Sequence, residues 1–249
     1  MSGHSKWSTI KHKKAALDAK RGKVFTRVIK ELTVSAKVGG GDPDGNPRLR
    51  SAIAEAKAAN MPADNIKRAI MKGTGELPGV TYEDVVYEGY GPGGVAIYVE
   101  VLTDNKMRST PEIRHLFTKH GGDLGQPNSV SWMFEKKGQF AIPGSATSEE
   151  RLMDVVLDAG ADDIQSVDES LEVTCASGVF GQVQDALEKA SIVPSHAKLA
   201  MIPTTVVDLD AKKAGQCLKL LEALEDHDDV QNVYANLSFD DDAVSEAAS

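Results

Sequence analysis

Cysteine is scarce in this chain of 249 residues: Cys175 and Cys217 are the only two, far apart and without the close spacing of a metal-binding pair. No disulfide framework is implied, which suits a reducing compartment. Long apolar runs are also missing. The strongly apolar stretch from Val95 to Val99 ends at Glu100, far short of the roughly 20 residues that a spanning helix needs. The N-terminus has no apolar core of the kind a secretory leader carries, because Lys and His interrupt it throughout. It is Lys-rich rather than Arg- and Ser-rich and flows straight into a helical pattern, which argues against an organelle transit peptide. The expected setting is the cytoplasm, with no membrane partner.

Catalytic and metal-binding patterns are equally scarce. His115 and His120 lie five residues apart, whereas two ligands on one helical face sit at i and i+4. No Ser-His-Asp or Cys-His set is identifiable, although such sets need not be local in sequence. The glycine run Gly89-Tyr90-Gly91-Pro92-Gly93-Gly94 leads into a strand pattern. A phosphate-binding glycine loop must instead open a helix, so a hairpin turn is expected there. The expectation is a protein that is not an enzyme and carries no cofactor and no metal.

What the sequence does have is segregated charge. The formal net charge is −9, from 28 basic and 37 acidic residues. Residues 1–80 hold 16 basic and 7 acidic side chains, a balance of +9, and the remainder holds 12 and 30, a balance of −18. The first thirty residues alone carry Lys6, Lys11, Lys13, Lys14, Lys20, Arg21, Lys23, Arg27 and Lys30 against the single acid Asp18. Such a local excess attracts phosphate backbones and releases their counterions. With His4 and Trp7, these nine cations are the candidate nucleic-acid-binding residues; Trp7 could stack on an exposed base. Lys106, Arg108, Arg114 and Lys119 form a second, weaker basic cluster that either extends this surface or pairs with nearby acids. The acidic remainder is read as a solubilising body.

Periodicity divides the chain. Residues 1–23 read as a basic arm. Residues 24–80 read as a helical domain whose first helix has Val24, Phe25, Val28, Ile29, Leu32 and Ala36 at helical spacing. Lys23, Arg27, Lys30 and Lys37 fall on another face of that helix, expected to be presented outward. Asn46 and Pro47 suit the start of a second helix, and Pro62 the start of a third with Lys67, Arg68 and Lys72 exposed. Strand patterns follow at 85–87, 95–102 and 130–134, with a helix at 111–120. Residues 138–203 repeat β-α-β-β-α-β, the ferredoxin-like plan. The segment 81–137 lacks one helix and one strand of an α/β sandwich, which 204–239 supplies. The predicted fold is therefore α+β: an N-terminal helical domain followed by two α/β sandwich domains, one ferredoxin-like and inserted in the other. An acidic tail, 240–249, ends the chain.

Several strings closely resemble the YebC/PmpR family: Gly3-His4-Ser5-Lys6-Trp7, Ile10-Lys11-His12-Lys13-Lys14, Gly39-Gly40-Gly41-Asp42-Pro43, Tyr87-Glu88-Gly89-Tyr90-Gly91-Pro92-Gly93-Gly94, and Met201-Ile202-Pro203. The stretch 105–110 is a looser version of the family's Asn/Arg-rich loop, and 144–190 matches mainly in pattern. The resemblance implies a three-domain α+β protein with a non-enzymatic role in gene expression. Many members are regarded as DNA-binding transcriptional regulators; others resemble translation factors, among them a mitochondrial translational activator. Two targets therefore stand open, DNA and ribosomal RNA, the latter with the ribosome as partner. The sequence offers no clear helix-turn-helix with a base-reading helix and no dimer seam, so a monomer is expected. Phosphate contacts alone carry little base identity, which physically favours a structured RNA.

Overall fold

The computed structural model describes residues 21–167 and 170–239. The arm up to Lys20, which includes the candidates His4, Lys6, Trp7, Lys11, Lys13, Lys14 and Lys20, lies outside the described residues, as does the tail 240–249. Only the backbone of Arg21 is described. Met133–Thr204 form one compact unit, and the described residues before and after it form the other.

The second of these begins with three helices, α1 (Arg21–Gly39), α2 (Pro47–Ala58) and α3 (Ala63–Gly73). Val28, Leu32 and Ala36 of α1 pack with Leu49, Ala52 and Ala56 of α2, and with Ile66 and Ala69 of α3, in one apolar core. Asn46 is buried and joins two helix ends. Its Oδ1 accepts the Leu49 N–H at 3.1 Å as an N-cap, while its Nδ2 donates to the carbonyls of Ser35 at 2.7 Å and Gly40 at 2.9 Å. Helix α3 lies close against α1: a Cβ on Gly73 would sit 2.3 Å from the Thr33 carbonyl oxygen and 2.8 Å from the Ala36 Cβ. Glycine at 73 is what lets the two backbones approach.

An antiparallel hairpin follows, β1 (Glu83–Tyr90) and β2 (Ala96–Thr103), in register from Glu83 opposite Thr103 to Tyr90 opposite Ala96. The glycine run closes it, with the Gly91 N–H donating to Val95 O at 2.8 Å. Next come α4 (Lys106–Lys119) and the short β3 (Asp123–Leu124). Helix α4 starts five residues before the expected position. Asn105 caps it by accepting the Arg108 N–H at 3.2 Å, and Pro111 lies inside the helix rather than at its start. A proline there removes one helical hydrogen bond without displacing the cap.

The inserted unit contains β4 (Phe134–Pro143), α5 (Glu149–Val156), β5 (Ala161–Val167), β6 (Ser170–Ala176), α6 (Phe180–Lys189) and β7 (His196–Pro203). Its sheet order is β5-β6-β4-β7, every pair antiparallel, as a ferredoxin-like unit requires. Val130 to Met133 do not form the expected strand. The strand begins at Phe134 and runs unbroken to Pro143, because β7 pairs with it from Pro203 opposite Phe134 to His196 opposite Ala141. Phe140, Ile142, Leu152, Val156, Val173, Val183 and Leu187 form its core.

The chain then completes the first unit with β8 (Val207–Asp208), α7 (Ala211–Glu225), β9 (Val230–Ala235) and β10 (Leu237–Ser238). Strand β9 pairs antiparallel with β2, giving the sheet order β3-β1-β2-β9. Ile97, Val99 and Val233 of this sheet meet Ile113 and Phe117 of α4, and Leu220 and Leu221 of α7, in a shared core. Both cysteines are buried free thiols, and burial pushes the Cys217 thiol up to about 12.

One ionic cluster seats α1 against the end of α7. Asp229 is 4% exposed at its side chain and accepts from Lys30 Nζ at 2.6 Å, Arg108 Nη2 at 2.7 Å, Ser109 Oγ at 2.7 Å and Thr103 Oγ1 at 3.1 Å. Lys30 Nζ also donates to Asp228 O at 2.9 Å and lies 5.6 Å from the Tyr82 ring centroid. Burial pushes the Asp229 carboxyl up, but the hydrogen bonds from Lys30, Arg108 and Ser109 outweigh it and hold the group well below the usual carboxylate range.

Lys30→Ala should cost about 3 kcal/mol in chemical denaturation, since it leaves a buried carboxylate short of one cation. Because the folded value is depressed, this stability is complete above about pH 4 and is lost as pH falls below that. Asp229→Asn should therefore flatten the acid limb of the stability profile, and an unchanged limb would rule out Asp229 as its source. Separately, the fragment 133–204, with its own closed core, should melt cooperatively by circular dichroism; a fragment without a thermal transition would show that its core does not suffice.

Candidate nucleic-acid interface

The described cations sort into those held by the protein's own acids and those left free. Helix α1 was expected to present Lys23, Arg27 and Lys30; the structure buries Lys30 and gives all three partners near the end of α7. Lys23 Nζ donates to Asp226 O and Oδ1, both at 2.9 Å, Arg27 donates to the Glu225 carbonyl, and Lys30 is buried on Asp229. All three face the C-terminal end of α7, where the terminal carbonyls and the negative helix end attract cations. Their partners lie some 200 residues away, so helical spacing showed a polar face but not what that face meets. Arg48 is consumed too, bidentate to Glu31 at 2.6 and 3.0 Å and 3.0 Å from Asp84.

The second cluster divides. Arg108 bridges Asp229 and Asp104, at 2.7 and 3.0 Å, and its guanidinium is raised by the Asp229 hydrogen bond. It orders the start of α4. Lys106, Arg114 and Lys119 are exposed on the same helix and take part in no ion pair among the described residues. Met107 beside them is 86% exposed. Ser109, Ile113 and Phe117 form the buried face of α4; Arg114 and Lys119 lie off that face, and Lys106 is exposed as the first residue of the helix.

Helix α3 adds cations that had no assigned role. Lys67, Arg68 and Lys72 are exposed, and none is ion-paired among the described residues. A short turn leads into α3, of a length that αα-hairpins and helix–turn–helix units share. Helices α2 and α3 are joined by the four residues 59–62. The usual glycine is absent. Asn60 takes the left-handed conformation instead, at φ 57°, and buried Met61 anchors the turn in the core.

Other arrangements are absent. Among the described residues no group of three His, Cys, Asp or Glu is placed to hold a metal ion, and no helix is long and apolar enough to cross a membrane. His120 caps the C-terminal end of α4 through its backbone N–H. Glu88 is buried, but its carboxylate accepts the N–H groups of Asn128, Val130 and Ser131 at 2.7–2.8 Å, which fixes the loop ahead of the inserted unit.

Exposed helical cations lie on an α+β frame, a three-helix segment followed by an α/β sheet with an inserted ferredoxin-like unit. Comparison with known proteins gives the frame its family. Residues 5–76 match the model of the TACO1/YebC protein N-terminal domain, and residues 82–237 that of the TACO1/YebC second and third domain. The chain belongs to the TACO1/YebC family. It is 58% identical over 248 residues to a probable transcriptional regulatory protein of Acidobacterium capsulatum, covering 100% of both chains. It is also 58% identical to one of Geobacter sulfurreducens, covering 95% of each. The crystal structure of a conserved hypothetical protein from Aquifex aeolicus superposes with a TM-score of 0.84 at 45% identity, covering 90% of this chain and 93% of that one.

Changing Lys106, Arg114 and Lys119 together to Gln should leave unfolding free energy unchanged within about 0.5 kcal/mol per site. It should lower the slope of log affinity against log salt by about one for each phosphate no longer neutralised. Arg108→Gln should do the reverse and lower the melting temperature. Equal salt slopes for wild type and triple variant would remove α4 from the interface.

Proposed function

We propose that this protein is a non-enzymatic regulator of gene expression. It works in the cytoplasm as a monomer, needs no cofactor, and binds DNA chiefly through the phosphate backbone. The observation that carries the reading is the sorting of its cations. Those facing the acidic body are consumed by it, while Lys106, Arg114 and Lys119 keep their charge at the surface. The basic arm, with His4, Lys6, Trp7, Lys11, Lys13, Lys14, Lys20 and Arg21, adds a dense positive segment at the N-terminus. The names of the relatives, probable transcriptional regulatory proteins, favour DNA as the target. A second reading, ribosomal RNA, has one feature in its favour: Trp7 within a Lys-rich arm is suited to stacking on an unpaired base.

Charge reversal of Lys11, Lys13, Lys14, Lys20 and Arg21 to Glu should abolish binding in a mobility-shift assay and leave the circular dichroism spectrum intact. If the interface neutralises about six to ten phosphates, affinity should fall about 10³–10⁵-fold between 50 and 200 mM salt. Unchanged affinity after the five reversals would exclude the arm. Crosslinking in cells separates the targets: recovery of promoter DNA supports the proposal, and recovery of ribosomal RNA without DNA replaces it with the second reading.

A further inference from the structure

We propose that α3 is the base-reading helix of this protein: its outward face enters the major groove of duplex DNA, with Arg68 aimed at the base edges and Lys67 and Lys72 at the phosphates on either side. This rests on the DNA reading above and specifies the residues that would touch the duplex.

At 100° per residue, Ile66, Ala69, Ile70 and Gly73 share one side of α3. Ile66 and Ala69 are buried there, and Gly73 sits against Thr33 and Ala36 of α1. The opposite side is centred on Asp64, Arg68 and Met71. Lys67 lies on one flank of that stripe, and Asn65 and Lys72 on the other. Asp64, Asn65, Lys67, Arg68 and Lys72 are all exposed. The helix therefore offers solvent a polar strip with a guanidinium in its middle and an ammonium on each edge.

Two features set this strip apart from an ordinary solvated face. Arg68 and Lys72 are like charges at i and i+4, a spacing that destabilises a helix unless an anion lies between them. Asp64 stands one turn before Arg68, yet no ion pair forms there, although Lys23, Lys30, Arg48 and Arg108 of the same unit all find acids. The helix is also rigidly backed. Helix α1 packs against both α2 and α3, Thr33 Oγ1 lies 3.4 Å from the Ala69 carbonyl, and the four-residue turn fixes how α3 follows α2.

The chemistry of the strip selects the nucleic acid. The major groove of B-DNA, about 12 Å wide, admits a helix, and Arg pairs bidentately with guanine O6 and N7. Asn65 can pair with adenine in the same groove, and Asp64 can accept from cytosine N4. The major groove of A-form RNA is too deep and narrow for side chains to read. Duplex DNA is thus the occupant this face fits.

The test uses the full-length protein and a pool of short DNA duplexes with randomised centres. Wild type should enrich a short motif containing a guanine. Arg68→Ala should lose about 5- to 150-fold preference at that position, while its binding to the unselected pool stays within a few-fold of wild type. Lys67→Gln with Lys72→Gln should weaken binding to every duplex alike and reduce the salt slope by about two. Melting temperatures should match wild type in all cases, since these side chains touch nothing in the core. If the arm reversals abolish binding while Arg68→Ala leaves the enriched motif unchanged, α3 is not the reading helix and the DNA function stands. No motif at all, or equal affinity for duplex RNA of the same sequences, overturns the assignment. A wild-type protein that binds no duplex DNA overturns both readings together.

Discussion

The buried carboxylate of Asp229 is the constraint on which the arrangement of this unit depends. It gathers Lys30 from α1, Arg108 and Ser109 from the first turn of α4, and Thr103 from the end of β2. Each of these hydrogen bonds crosses between segments remote in sequence. A carboxylate so enclosed is tolerated only because four donors surround it, and it stays ionised for the same reason. Such a cluster fixes orientation more than it adds net stability, because desolvation offsets much of its Coulombic gain. What it orients are α1, which backs α3, and the start of α4, which carries the second cationic face.

The same economy explains why the most basic helix is not the most available one. Cations facing the end of α7 meet the carbonyls of Glu225, Asp226 and Asp228 and the carboxylates of Asp226 and Asp229, and they are neutralised there. Cations on α3 and on the outer side of α4 form no ion pair among the described residues. The protein thus divides one class of side chain between an internal fastening and an external surface. Net charge cannot reveal that division, because an ammonium counts the same in either place.

Family membership fits this frame without deciding its target. The TACO1/YebC models span both the helical N-terminal segment and the α/β remainder, and the Aquifex aeolicus structure follows the same course. The ferredoxin-like unit closes on its own core. The other sheet needs α7 and β9, which arrive after that unit in sequence.

The sequence by itself determined the α+β class, the family, the three helices of the N-terminal segment, and the insertion that splits one α/β sheet around another. All of these rest on local signals: apolar periodicity, the Asn46-Pro47 start, and the alternation within 138–203. Its failures are equally physical. Pro111 masked the true start of α4 at Asn105. Asn60 takes the left-handed position at the turn before α3, where a glycine would have marked the turn. The strand Phe134–Pro143 was legible only through its pairing with β7. Which cations are free was a tertiary decision throughout. Lys30 and Lys67 look alike in one dimension, and what separates them is Asp229, 199 residues from Lys30, brought within 2.6 Å by folding.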